Sequence, residues 1–190
     1  MGQKNSPLFL FLLCLIVLAA PVPEGRAAGA NLEVARMAQV TATGMSIKSP
    51  SFGTNGYIPE EFSCKGRNIS PQLMIENVPR GTRSLALVVD DPDAPGGIFV
   101  HWVMWDIPPE TRQIPAGSVP KGAVQGMNSW KKAAYGGPCP PSGVHHYFFK
   151  LYALDTKKLS PGHEAGKEEL EAAMQGHIIA QTELVGLFRK

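Results

Sequence analysis

The sequence is short of cysteine, of long apolar runs and of any charge imbalance, and each shortage closes off a class of protein. Three cysteines in 190 residues are too few for a disulfide-built mini-protein. The longest apolar run, Leu8 to Ala20, covers 13 residues, against the roughly 20 that a helix needs to cross a bilayer. A formal net charge of +2 offers no broad basic field for nucleic acid or for a membrane surface. Neither HExxH nor GxSxG occurs. The spacing of Asp91, Asp93 and Gly96 departs from a calcium-loop pattern, and nothing repeats at a solenoid period.

The short apolar run has another use. Lys4 precedes it, and small and polar residues follow from Pro21 to Ala30, the order of a secretory signal peptide. Ala28 and Ala30 fit the small-x-small cleavage pattern, with Gly25 and Ala27 as a second choice. Cleavage is expected between residues 27 and 30, which places the protein in the periplasm or outside the cell; an uncleaved anchor is the alternative. Cys14 lies inside the run after Leu12 and Leu13, a poor setting for lipid attachment. Residues 1–30 are thus read as a signal peptide, 31–44 as a lead-in that is either a short helix or unstructured, and 45–190 as one domain. Beyond residue 30 the chain carries 16 basic and 15 acidic side chains and two cysteines, Cys64 and Cys139. An even pair in an oxidising compartment suggests one disulfide; two unrelated buried thiols are the alternative.

Glycine and proline, by contrast, are plentiful, with 20 and 17 copies spread along the chain. They cut it into short apolar runs, the pattern of a mainly β domain. Strands are expected at Ser84 to Asp90, Phe99 to Ile107, His146 to Leu154 and Thr182 to Phe188. Weaker ones fall at Met45 to Ser49 and Gln72 to Glu76. One helix is expected near the C-terminus, over roughly Lys167 to Ala180, where Leu170, Ala173, Met174, His177, Ile178 and Gln181 recur at three- and four-residue steps. Glu164, Glu168, Glu169 and Glu171 then read as solvated helix surface near the positive end of the dipole.

Three segments could carry chemistry. In the first, Asp90, Asp91, Pro92, Asp93, Ala94 and Pro95 follow an apolar strand, and alternation puts Asp91 on the face of Leu85, Leu87 and Val89. A carboxylate on a core face needs hydrogen bonds or a cation; the bland reading is a tight loop in which Asp91 and Asp93 cap backbone amides. In the second, alternation groups Phe99, His101, Val103, Trp105 and Ile107 on one face and Val100, Trp102 and Met104 on the other. His101 there is either a packed core residue or a ligand group. The third runs from Tyr135 through Gly136, Gly137, Pro138, Cys139, Pro140 and Pro141 to His145, His146 and Tyr147. Of its backbone amides, those of Gly137 and Cys139 could donate to an anion, because proline has none. His145 and Tyr147 share a face with Phe149 and Leu151, while His146 turns away.

Asp91 to Pro95 (DPDAP), His101 with Trp102, Gly136 to Asp155 (GGPCPPSGVHHYFFKLYALD), Gly122 to Asn128 (GAVQGMN) and Asn68 to Pro71 (NISP) stand in one order along the chain. The set resembles the phosphatidylethanolamine-binding protein (PEBP) family in its bacterial Raf-kinase-inhibitor-like, YbhB/YbcL-type branch, over about Ile47 to Phe188. The resemblance implies a Greek-key β-sandwich of two antiparallel sheets with a few peripheral helices, and a small pocket for phosphate-like or carboxylate groups. By motif position, Asp91, Asp93, Pro95, His101, Gly137, Pro140, Pro141, His145 and Tyr147 are similar to the family's pocket residues. In that setting the two cysteines suggest a disulfide tying the Cys64 and Cys139 loops together beside the pocket. Where many eukaryotic relatives carry arginine between the pocket histidine and tyrosine, this chain has His146, so kinase binding is not expected.

The resulting expectation is a non-catalytic binding protein for a small anionic ligand, with no cofactor, no nucleic-acid partner and membrane contact only through a lipid head group. A protease inhibitor, or a module that binds another exported protein, is the second reading. A metal-dependent enzyme built on Asp91, His101 and His145 as a two-histidine, one-carboxylate set is the third.

Overall fold

A computed structural model describes residues 2, 44–162 and 164–190. The expected signal peptide, its cleavage position and the lead-in before residue 44 lie outside the described residues. Among those described, no helix is long and apolar enough to cross a membrane.

The expected strands form, together with three short ones. They are β1 (Ser46–Lys48), β2 (Gly56–Tyr57), β3 (Leu73–Glu76), β4 (Ser84–Asp91), β5 (Phe99–Ile107), β6 (Gln113–Ile114), β7 (Val124–Gly126), β8 (Val144–Leu154) and β9 (Ile178–Arg189). Among the described residues a single 3-10 turn covers Glu60–Phe62, and one α-helix, α1, covers Lys167–Met174. The strands make a three-stranded sheet in the order β1-β3-β6 and a six-stranded sheet in the order β2-β9-β8-β4-β5-β7. Neighbours are antiparallel, except that the edge strand β2 runs parallel to β9, a departure from two wholly antiparallel sheets.

The expected helix ends early. Gly176 takes φ +80°, a backbone setting that stops a helix, and from Ile178 the chain pairs with β8 from Leu154 back to Val144. Leu170 and Met174 are buried under α1 as the periodicity required, but Ile178 and Gln181 belong to β9. A long ladder satisfies every backbone group it covers, which outweighs the weak helix preference of a stretch with two isoleucines.

The large sheet is covered on both faces, so β4 is buried at all eight positions. On one side Leu85, Leu87, Val89, Trp102, Met104, Tyr147 and Phe149 pack against Ile47, Leu73, Ile75 and Ile114 of the small sheet. On the other, Ala86, Val88, Val100, Val103 and Trp105 pack against Leu159, Leu170 and Met174. Each fully buried leucine or valine contributes on the order of 1.5–3 kcal/mol.

The alternation expected for β5 fails at two places. Against β4, Asp91 pairs with Phe99 and Asp90 with Val100, but Val89 pairs with Trp102, so His101 is an extra residue in the ladder. A second irregularity lies between Met104 and Ile107, where Asp106 takes φ +55°. Val103 and Trp105 therefore face α1 instead of sharing a side with His101, while Trp102 and Met104 join the inter-sheet core. A bulge of this kind adds one residue, leaves its neighbours paired and re-aims a side chain.

Candidate functional site

The bulge directs His101 to one end of the large sheet, where the loops after β4 and before β8 meet. His101 is 3 % exposed. Its Nδ1 lies 2.7 Å from the Gly136 carbonyl, and the Gly136 amide donates back to the His101 carbonyl at 2.9 Å. A carbonyl only accepts, so the ring proton sits on Nδ1 and the neutral ring leaves Nε2 as an acceptor. Burial holds His101 below the ordinary histidine value; the Gly136 carbonyl and Asp91 oppose that push without overcoming it.

The second histidine is fixed in the same way. The Nδ1 of His145 donates to Asp91 Oδ2 at 2.8 Å, and both side chains are buried. Asp91 Oδ1 accepts the Asp93 amide at 2.8 Å, so this carboxylate both turns the loop and orients the ring. The Tyr147 hydroxyl lies beneath, 1 % exposed, with its ring edge-on to His101 at 5.1 Å between centroids. It comes near the Asp91 carboxylate and the Cys139 amide, yet makes no hydrogen bond of acceptable geometry. Burial, reinforced by Asp91, raises its pKa far above the usual tyrosine value.

Above these groups lies a cavity of about 430 Å³, lined by Asp91, His101 and His145 with Pro95, Pro140 and Pro141, and also by Phe99, Trp130 and Cys139. Three of the expected residues do not line it: Tyr147, packed against His101, and Asp93 and Gly137, which stand elsewhere. Asp93 turns outward to His146, accepting its amide at 2.9 Å and its Nδ1 at 2.7 Å, and that contact holds the Asp93 carboxyl below the usual range. Gly137 lines an adjoining hollow of about 200 Å³, and its amide donates to Asn68 Oδ1 at 2.7 Å. The Gly137 amide expected as an anion donor is thus already used. Glycine is needed there for space, since a Cβ would run into the Phe62 carbonyl and Ser63. The bland reading of the two aspartates as caps on backbone amides holds for both, since Asp91 accepts the Asp93 amide and Asp93 that of His146.

Cys64 and Cys139 are joined at 2.03 Å across 75 positions of sequence. The strap is reinforced by the Cys64 amide on the Pro138 carbonyl at 3.1 Å and the Tyr135 hydroxyl on the Phe62 carbonyl at 3.0 Å. Sequence reasoning missed Trp130, whose ring stands edge-on to His101 and Phe99 at 5.2 and 4.6 Å. Asn128 places it, accepting the amides of Trp130 and Lys132 and donating to the Ala134 carbonyl. An asparagine two residues before the tryptophan was the available signal. Among the described residues, no three His, Cys, Asp or Glu side chains come together as metal ligands would.

A sheet sandwich with a polar-floored cavity at the loop end of its central strands is a small-ligand binding fold. The chain belongs to the phosphatidylethanolamine-binding protein family, whose profile matches residues 48–189. A UPF0098 protein of Methanothermobacter thermautotrophicus is 48% identical over 152 residues, covering 77% of this chain and 99% of the relative. Another, from Pyrococcus horikoshii, is 49% identical and covers 77% and 78%. Among solved structures, a PEBP homologue of Chlamydia trachomatis superposes with TM-score 0.74 at 40% identity, covering 78% of this chain and 99% of that one. E. coli YbcL, described as a member of the mammalian PEBP family, gives 0.73 at 32%, with 77% and 98% covered.

Proposed function

We propose that this chain is an exported, non-catalytic binding protein whose cavity takes a small oxyanion, a phosphate-like or carboxylate group such as a lipid head group carries. The observation that carries this reading is the cavity lined by Asp91, His101 and His145, three polar side chains brought together from three strands. The Tyr147 ring packs against His101, and its hydroxyl is a buried donor without a hydrogen-bond partner. Export is supported by the signal-like order of residues 1–30 and by a disulfide between exposed loops, which persists in an oxidising compartment.

The test is a thermal-shift titration with phosphate, phosphoethanolamine and acetate on the wild type, His101→Ala and Tyr147→Phe. At least one anion should raise the wild-type Tm more than that of either variant. Equal shifts in all three proteins would remove the cavity from the explanation.

A further inference from the structure

β9 is 12 residues long, and β8 pairs along one of its edges from Ile178 to Arg189. The opposite edge is covered only at its end. Gly56 and Tyr57 of β2 pair with Gly186 and Leu187, and the amides of Asn55 and Ile58 donate to the Val185 and Leu187 carbonyls at 2.8 and 2.7 Å. Those two carbonyls show which residues of β9 turn their backbone groups away from β8. Because the direction alternates along an antiparallel strand, Glu183 and Gln181 also aim their amides and carbonyls outward. Both residues are exposed. Among the described residues no further strand pairs with them on that side, and no loop backbone reaches them.

A hollow of about 460 Å³ lies beside this free edge, lined by Lys150, Tyr152, Gln181, Thr182 and Glu183. Its charges do not balance. Lys150 stands opposite Glu183 in the ladder, but its ammonium is turned to Asp90 at 2.9 Å, and Lys167 also pairs with Asp90 and, at 3.8 Å, with Glu171. Burial first, and then Glu171, Asp90 and Glu183, push the Tyr152 hydroxyl up to about 12. Three carboxylates thus face two ammonium groups, and Glu183 is the one left over. On the other face of β9, Ala180 and Leu184 belong to the inter-sheet core.

We propose that the free edge of β9 at residues 181–183 docks an extended segment of another protein, which adds to the sheet as a strand and sets a lysine or arginine opposite Glu183. An open row of amides and carbonyls selects an extended backbone, the geometry of strand addition. The unbalanced carboxylate calls for a basic side chain on the hollow side, and the alternate positions, which turn toward Leu184, call for apolar ones. The same carboxylate disfavours self-association, since two β9 edges paired antiparallel would bring one Glu183 close to the other. This surface lies on the helix side of β8, away from the cavity that His145 faces, and does not depend on anion binding.

Hydrogen exchange followed by NMR reads the amides of Gln181 and Glu183 directly. The probe is a blocked heptapeptide of alternating valine and lysine; its controls are a valine–glutamate peptide and a fully N-methylated valine–lysine peptide. At about ten times its Kd, the valine–lysine peptide should slow both amides about tenfold, while the controls leave them unchanged. Glu183→Lys should exchange the preference between the two charged peptides. Gln181→Pro removes an outward donor without touching the β8 ladder and should weaken the valine–lysine peptide by about two- to tenfold. No slowing by the valine–lysine peptide, or equal slowing by the valine–glutamate peptide, would overturn the proposal. Protection of both amides in the protein alone would overturn it as well: if constant, the chain's own residues fill the edge, and if rising with protein concentration, a second copy does.

Discussion

Asp90 and Asp91 are neighbours in one strand, equally buried, and they serve opposite ends. Asp90 points to the helix side, where Lys167 Nζ lies 2.8 Å from one carboxylate oxygen and Lys150 Nζ 2.9 Å away. Asp91 points to the cavity side, where its partners are an imidazole and a backbone amide. The first carboxylate is neutralised within the fold. The second has one partner that changes charge and one that has none. Strand alternation alone separates the two sides by a single residue step, so a structural ion pair and the candidate site share one stretch of backbone.

The contrast breaks most violently at Asp90. Asp90→Ala leaves the Lys167 ammonium, whose side chain is 8 % exposed, without its main partner. We expect a loss of about 3–5 kcal/mol in urea unfolding, while anion affinity of the folded fraction stays as in the wild type. Adding Lys167→Met and replacing Asp90 by leucine should recover most of that loss. Next comes the disulfide, whose joint removal by Cys64→Ser and Cys139→Ser should cost on the order of 4 kcal/mol by loop entropy. Here the anion affinity should fall as well, because the strap belongs to the cavity side. Asp91→Ala unpairs the His145 Nδ1 and the Asp93 amide and should cost about 1–3 kcal/mol, with its larger effect on anion-induced Tm shifts. The smallest effect is one of pH. Because burial holds His101 below 6.5, the unfolded chain takes up this proton first as pH falls. Stability owed to the neutral ring is complete above about pH 6.5 and drains away below it. His101→Gln should remove that part of the slope from a pH series of thermal melts; an unchanged slope would place the titration elsewhere.

Much of this was legible in the residues. The long strands were bounded within a few residues because their Val, Leu, Phe, Trp and Tyr runs stop at glycine and proline. Asp91, His101 and His145 were singled out as polar side chains at strand ends and Pro95, Pro140 and Pro141 through the family resemblance; that they line one cavity with Phe99 and Trp130 took the fold to show. What escaped depends on tertiary partners. Strands of two or three residues, such as Gln113–Ile114, have no periodicity to show. Lys167 read only as the start of a helix, because its partner, Asp90, is 77 positions away in sequence. Gly137 read as an open amide because nothing in its own segment reveals Asn68, which arrives with φ +56° from the disulfide-linked loop. Charge adds a subtler case. Burial by itself would push the Lys167 pKa down, yet the pairing with Asp90 and Glu171 leaves it raised, an outcome only the assembled site decides.

The extra residue of β5 carries a genetic consequence. Val100 and Trp102 already face opposite layers and already pair with adjacent residues of β4. Loss of codon 101 would therefore let the ladder close with every remaining side chain on its present side. His101 is an insertion that the fold tolerates rather than a position it requires. A lineage could gain or shed this half of the site by a three-nucleotide indel, with the sandwich itself left standing.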